Sequence, residues 1–240
     1  MTALSDLPVS FAAARKAIDD SHAEDPKTAP SADGSDKKVP NELHYARKMS
    51  RWLAVRSPDA SPTLQLACRA QHFRRLFPSK KVHVQLVYES SSLINLTRGK
   101  RWEIPRDSFP MTRTGYLTWR AKQKTQAAEK ITTLLSSIPS SSSAAAAALS
   151  AEDIDRVAAL VRKENLSADT ETQVLEDVAC LVFLDDQLDD FGKRDDVDED
   201  KMVNILRKTW AKMSPRGREI ALDMRLSERA KTLVGKALAG

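Results

Sequence analysis

Glu176 and Asp177 stand directly before Val178-Ala179-Cys180-Leu181-Val182-Phe183-Leu184, a run without one polar side chain. Such a run has to be covered on every side, so the element that holds it lies inside a packed body. Read as a helix, it puts Asp177 on a face with Val174, Leu181 and Leu184, and Glu176 on a face with Gln173, Cys180 and Phe183. Both acids then point toward packed neighbours. A buried carboxylate needs a cation, a metal ion or hydrogen-bond donors, or it takes up a proton. The pair is therefore the first candidate for a functional centre.

The rest of the chain tells what surrounds that helix. Only 7 glycines occur in 240 residues, 41% of the residues are hydrophobic, and Ala, Leu, Lys, Arg and Glu recur at helical spacings. The expectation is an all-α protein, a single helical bundle domain over residues 40–240 with a disordered arm, residues 1–39, before it. Cys68 and Cys180 both sit in apolar-periodic segments, which predicts buried free thiols in a reducing compartment. No run reaches the ~20 apolar residues of a membrane span, and the N-terminus has no charged-then-apolar leader pattern. Cytoplasmic residence, or nuclear, is the expectation.

A short amphipathic helix is predicted from about Pro8 to Ile18, followed by a mobile linker over His22 to Pro40. Helices follow from Asn41, read as an N-cap, to about Val55, from Thr63 to Arg75, and from Thr112 to about Ser137. Residues 76–101 break the pattern: Val82 to Tyr88 is strand-like and Ser90 to Thr97 is polar and irregular. Residues 139–149 form a low-complexity connector. Ser150 with Asp153 marks the start of a helix that runs through Lys163, and Asp169 or Thr170 opens the acid-bearing helix, expected to reach Phe191. Two or three more helices close the chain, with Ser214-Pro215 as one N-cap and first-turn pair.

Six ordered phrases carry a resemblance. They are Glu42-Leu-His-Tyr-Ala-Arg-Lys-Met, Ala67-Cys-Arg-Ala-Gln-His, Trp102-Glu-Ile-Pro-Arg, Arg113-Thr-Gly-Tyr-Leu-Thr-Trp-Arg, Gln173-Val-Leu-Glu-Asp-Val-Ala-Cys-Leu-Val-Phe-Leu and Lys208-Thr-Trp-Ala-Lys-Met-Ser. Together, over about Pro40 to Leu238, they resemble the fungal and bacterial family known as domain of unknown function 4202. The resemblance implies an α-helical domain and names no activity. In the family the Gln-His phrase runs almost straight into Trp-Glu-Ile-Pro-Arg, so residues 76–101 read as an insert, either a retained intron, whose length they match, or a genuine surface insertion. The insert also carries most of the chain's formal charge of +5, so a basic-protein case for nucleic-acid binding does not stand.

The family's spaced His, Gln-His and Glu-Asp elements look like a degenerate HD metal-dependent phosphohydrolase arrangement. That likeness implies His44, His72 and Asp177 as ligands of a divalent transition metal (Mn, Fe, Zn or Ni), with Glu42, Gln71 and Glu176 as further catalytic groups. The implied reaction is hydrolysis of a phosphorylated small molecule or nucleotide. The alternative is a non-catalytic binding or interaction module, in which the same polar residues fix helix register. Arg113, Tyr116 and Arg120 repeat at helical spacing and, with Arg106 and Trp119, form a face that can hold a phosphate and stack a base, or neutralise Glu176 and Asp177 internally. The acidic stretch Asp196-x-Asp198-x-Asp200 fails as an EF-hand, because Lys201 and Arg207 occupy the Gly and Glu positions. Lys48-Met-Ser and Lys212-Met-Ser-Pro-Arg are similar to a signature loop of class I aminoacyl-tRNA synthetases, and some family members carry a glutamyl-tRNA synthetase label, which makes a tRNA-related function the third and least favoured reading. No nucleotide-binding βαβ pattern accompanies it.

Overall fold

The computed structural model describes residues 3–30, 38–71, 73, 104, 106–138, 148–188 and 198–239. It is all-α among these residues, apart from one two-stranded ladder. The helices are α1 (Val9–His22), α2 (Asn41–Arg56), α3 (Pro62–Arg69), α4 (Arg113–Ser136), α5 (Ala151–Arg162), α6 (Thr170–Val182), α7 (Glu199–Lys212), α8 (Pro215–Leu222) and α9 (Glu228–Leu238). A single π-helical turn, Phe183–Gln187, continues α6.

Local rules start most of these helices. Ser61, Thr112, Ser150, Asp169, Asp198, Ser214 and Ser227 each turn a side-chain oxygen onto the free N–H groups of the first turn. The Ser150–Asp153 and Ser214-Pro215 signals expected from the sequence are both in place. Asn41 is not a cap: it is the first helical residue, and the α2 entrance is satisfied from a distance, where Asp25 Oδ2 accepts from Glu42 N at 3.1 Å. Gly115 at the α4 entrance answers a different need, since a Cβ there would lie 2.0 Å from the Pro110 carbonyl oxygen.

Two apolar clusters share α6. Leu175, Val178 and Val182 join residues of α1 to α5, while Cys180, Leu181, Leu184 and Leu188 join α7 to α9. Trp52 on α2 packs against both. Leu53, Leu64, Leu66, Leu160, Leu175 and Leu181 are sealed from water, each contributing roughly 1.5–3 kcal/mol of burial free energy. Cys68 and Cys180 are free and buried; burial raises both thiols, that of Cys180 to about 12, so neither is a thiolate nucleophile.

Part of the segment expected to be an arm is tied to this body. Phe11, Ala14 and Ile18 of α1 lie in the first cluster, and β1 (Thr28–Pro30) pairs antiparallel with β2 (Lys38–Pro40), Ala29 opposite Val39. Residues 31–37 lie outside the described residues, as do the strand-like stretch, the insert beyond Phe73, most of the low-complexity connector, and Phe191. No helix among the described residues is long and apolar enough to cross a membrane.

Arg156 clamps α5 to the α6 entrance by donating to both Asp169 and Glu171. The guanidinium, with the Thr172 and Glu171 N–H groups, outweighs burial and holds the Asp169 carboxyl down to about 2. A depressed carboxylate stabilises the fold above its unfolded pKa and loses that contribution as pH falls through the folded value. The stability gap between wild type and Asp169→Asn in urea titrations is thus expected to be full near neutrality and to close toward about pH 2; a gap independent of pH rejects this assignment.

Candidate functional site

α2 presents His44, Lys48, Trp52 and Arg56 at four-residue steps, hence on one face. Opposite them run α6 and the π-turn, in the reverse direction. His44 Nε2 meets Asp186 Oδ1 at 2.9 Å, Lys48 Nζ donates to Asp185 Oδ2 at 2.7 Å, and Trp52 Nε1 donates to the same oxygen at 3.1 Å. Both acids lie within the π-turn, whose winding differs from that of the α6 turns before it.

Arg56 closes the ladder. Its Nε donates to Asp177 Oδ2 at 2.8 Å, and Asp177 also accepts from Ser214 N (2.8 Å), Ser214 Oγ (2.5 Å) and Gln173 Nε2 (3.0 Å). Asp177 is 0% exposed, and a Cβ on Gly217 would sit 2.6 Å from its Cγ. Four donors, one of them the Arg56 guanidinium, complete this carboxylate. His44 lies more than three turns, about 18 Å, from Arg56 along α2. His44 and Asp177, expected as partners on one metal, are thus engaged at opposite ends of the helix. His72 lies outside the described residues. Among those described, no three His, Cys, Asp or Glu side chains are placed to hold one ion.

Glu42 belongs to another cluster, at the joined ends of α1, α2 and α3. His22, given no part by the sequence reading, is 1% exposed there: its Nδ1 faces Glu42 Oε2 at 3.2 Å and its Nε2 faces the Arg69 carbonyl at 3.0 Å. The His22 ring also packs edge-on against Phe73, with centroids 5.6 Å apart. Arg69 donates to Asp19 at 2.5 and 2.8 Å. Gln71 Nε2 is buried without a hydrogen-bond partner among the described residues.

Glu176 has the most unusual surroundings. Lys163 Nζ, 2.5 Å from Oε2, and Lys212 Nζ, 3.7 Å from Oε1, approach its 9%-exposed side chain, and Lys124 acts on it from α4. Burial pushes its carboxyl up, but Lys163, Lys212 and Lys124 together hold it below the usual range. Lys124, half-buried, is pushed below the usual lysine range by burial first, then by Lys163, Arg120 and Lys212, against the pull of Glu176. With Arg120 bearing on one of them, Lys124, three ammonium groups therefore bear on one carboxylate. Lys163 reaches it from a left-handed backbone, φ 58°, which costs a non-glycine residue roughly 1–2 kcal/mol. Asn165 close by repeats the conformation at φ 51°.

The expected Arg and aromatic face begins at the α4 entrance and leads toward this cluster. Arg106 donates to the Phe109 carbonyl at 3.0 Å and lies 6.0 Å from the centre of the Tyr116 ring. Trp119 is buried and anchored by Nε1 donating to the Ile104 carbonyl at 2.9 Å, with its ring 5.8 Å from Tyr116. Arg113 is exposed, Tyr116 is 45% exposed, and Arg120 is half-buried and acts on Lys124. Internal neutralisation of the acids thus falls to Lys163, Lys212 and Arg56 rather than to Arg113. The sequence reading names Lys163 only as a helix end and Lys212 only within the Lys212-Met-Ser phrase, and it does not single out Lys124; a lysine within or at the end of a helix is too common a feature to mark an anion site.

A family model described as domain of unknown function (DUF4202) matches residues 12–84 and 95–234. The stretch it leaves unmatched, 85–94, lies within the expected insert, and its start at residue 12 takes in most of α1. No curated protein and no solved structure matches the chain.

Proposed function

We propose that this chain, which belongs to the DUF4202 family, is a helical binding module for a small phosphorylated molecule, seated where Lys163 and Lys212 meet Glu176 and Lys124, with Arg120 acting on it, adds a third ammonium group. The observation that carries this reading is the charge imbalance: three ammonium groups from α4, the end of α5 and the end of α7 act on one carboxylate, and Arg120 adds a further positive charge beside Lys124. Crowding of like charges in a partly dry setting is unfavourable until an anion arrives. A phosphate supplies several acceptor oxygens and a double charge, and it favours the ammonium form of Lys124 against the push of burial and its cationic neighbours. In this reading His44, Asp177 and Glu42 are structural.

The test is titration calorimetry with inorganic pyrophosphate. Wild type is expected to bind, and the Lys163→Met/Lys212→Met double variant to bind at least about tenfold more weakly, which is ~1.4 kcal/mol. Affinity is expected to fall with added salt. Equal affinity in a folded double variant, or no binding at millimolar ligand by wild type, ends the proposal.

Hydrolysis of the bound ester is a second reading, favoured by the ionised Glu176 carboxylate beside the proposed seat, which can accept a proton from an attacking water. It carries the HD-like expectation, and its readout is phosphate release from p-nitrophenyl phosphate with and without Mn, lost in Glu176→Gln.

A further inference from the structure

Arg113, Tyr116, Arg120 and Lys124 follow one another at three- and four-residue steps, so the first half of α4 carries them as a single stripe that ends at the Glu176 cluster. The stripe changes character along its length. At its start lie Met111, 81% exposed, Leu117, 56%, and Tyr116, 45%; at its end lie the four cations. The Tyr116 ring is not a loose surface group, because Arg106 flanks it at 6.0 Å and the anchored Trp119 ring at 5.8 Å. One part of the ring is held while nearly half of the residue stays open to solvent.

From Tyr116 to Lys124 is about 12 Å of helix, close to the reach of an extended nucleoside di- or triphosphate from its base to its terminal phosphate. Resting on the anion seat proposed above, we infer that the ligand is a nucleoside polyphosphate, its base laid on Tyr116 with Leu117 and Met111 beside it, and its phosphates on Arg120, Lys124, Lys163 and Lys212. A simple phosphate fills only the cationic end. A sugar phosphate without a base leaves the aromatic and apolar end exposed. Arg106 and Arg113 add positive charge beside the ring, where guanidinium planes stack well on bases.

The test compares ATP and GTP with inorganic tripolyphosphate by titration calorimetry, on wild type, Tyr116→Ala and Tyr116→Phe. The expected result is that either nucleotide binds wild type roughly tenfold more tightly than tripolyphosphate, the size of one base-on-ring stack. Tyr116→Ala erases that ratio, Tyr116→Phe keeps it, and neither changes tripolyphosphate affinity. Nucleotides no tighter than tripolyphosphate on wild type, or a ratio untouched by Tyr116→Ala, overturns the nucleotide assignment while leaving the anion seat standing. Failure of tripolyphosphate itself to bind removes the seat, and the nucleotide with it.

Discussion

Asp177→Ala is expected to cost about 3–5 kcal/mol of folding stability, the range for deleting one partner of a buried ion pair. The carboxylate is 0% exposed and completes Arg56, Gln173 and both the backbone N–H and hydroxyl of Ser214. Truncation leaves a guanidinium and a helix cap facing a dry void. At roughly 2–4 °C per kcal/mol for a chain of this size, the thermal midpoint drops by about 10 °C. Gly217→Ala alone is also destabilising, because its new Cβ meets Asp177 Cγ at 2.6 Å. The two substitutions share that contact, so the double variant is expected to lose less than the sum of the singles. A chelator distinguishes the role further: if Asp177 held a metal, chelation would lower the wild-type midpoint and spare the variant. A structural Asp177 gives no chelator effect in either, and a midpoint for Asp177→Ala within a degree of wild type sinks the assignment.

His22→Ala is the second large effect, about 3 kcal/mol, from a ring-sized cavity and two lost buried hydrogen bonds. Its Nε2 faces a carbonyl oxygen, which can only accept, so Nε2 carries a hydrogen. Its Nδ1 faces Glu42, so the contact needs one more proton, held either by the ring or by the carboxyl. His22 thereby fastens the end of α1 to the start of α2 and the end of α3. Urea unfolding of the full chain checks this: an unchanged midpoint would mean that α1 is dispensable to the bundle.

Much of this architecture was legible from local pattern. Ser150, Asp169 and Ser214 announce their helices because a cap bonds to N–H groups two or three residues away. The burial of Glu176 and Asp177 was legible for the same reason, since periodicity tells which way a side chain faces. Periodicity does not tell how far along a neighbouring helix it lands. His44 and Asp177 both face inward, yet one is matched to Asp186 and the other to Arg56, a difference of height that no face pattern contains. The Asn41 cap failed because a more distant group, Asp25, took its place. His22 was missed through composition, for the Asp- and Pro-rich residues after it read as linker. Phe11, Ala14 and Ile18 already traced a stripe, and one more turn of it ends on His22.

The contact between Asp177 and Ser214 settles an ambiguity that the α2 face leaves open. His44, Lys48, Trp52 and Arg56 are evenly spaced, and a comb with equal teeth can engage one notch out of place at little cost. Ser214 offers its amide and hydroxyl at one height only, and Gly217 leaves room for a carboxylate there. The α8 entrance is the index mark of the bundle: it does not draw α2 and α6 together, but it tells them where to stop.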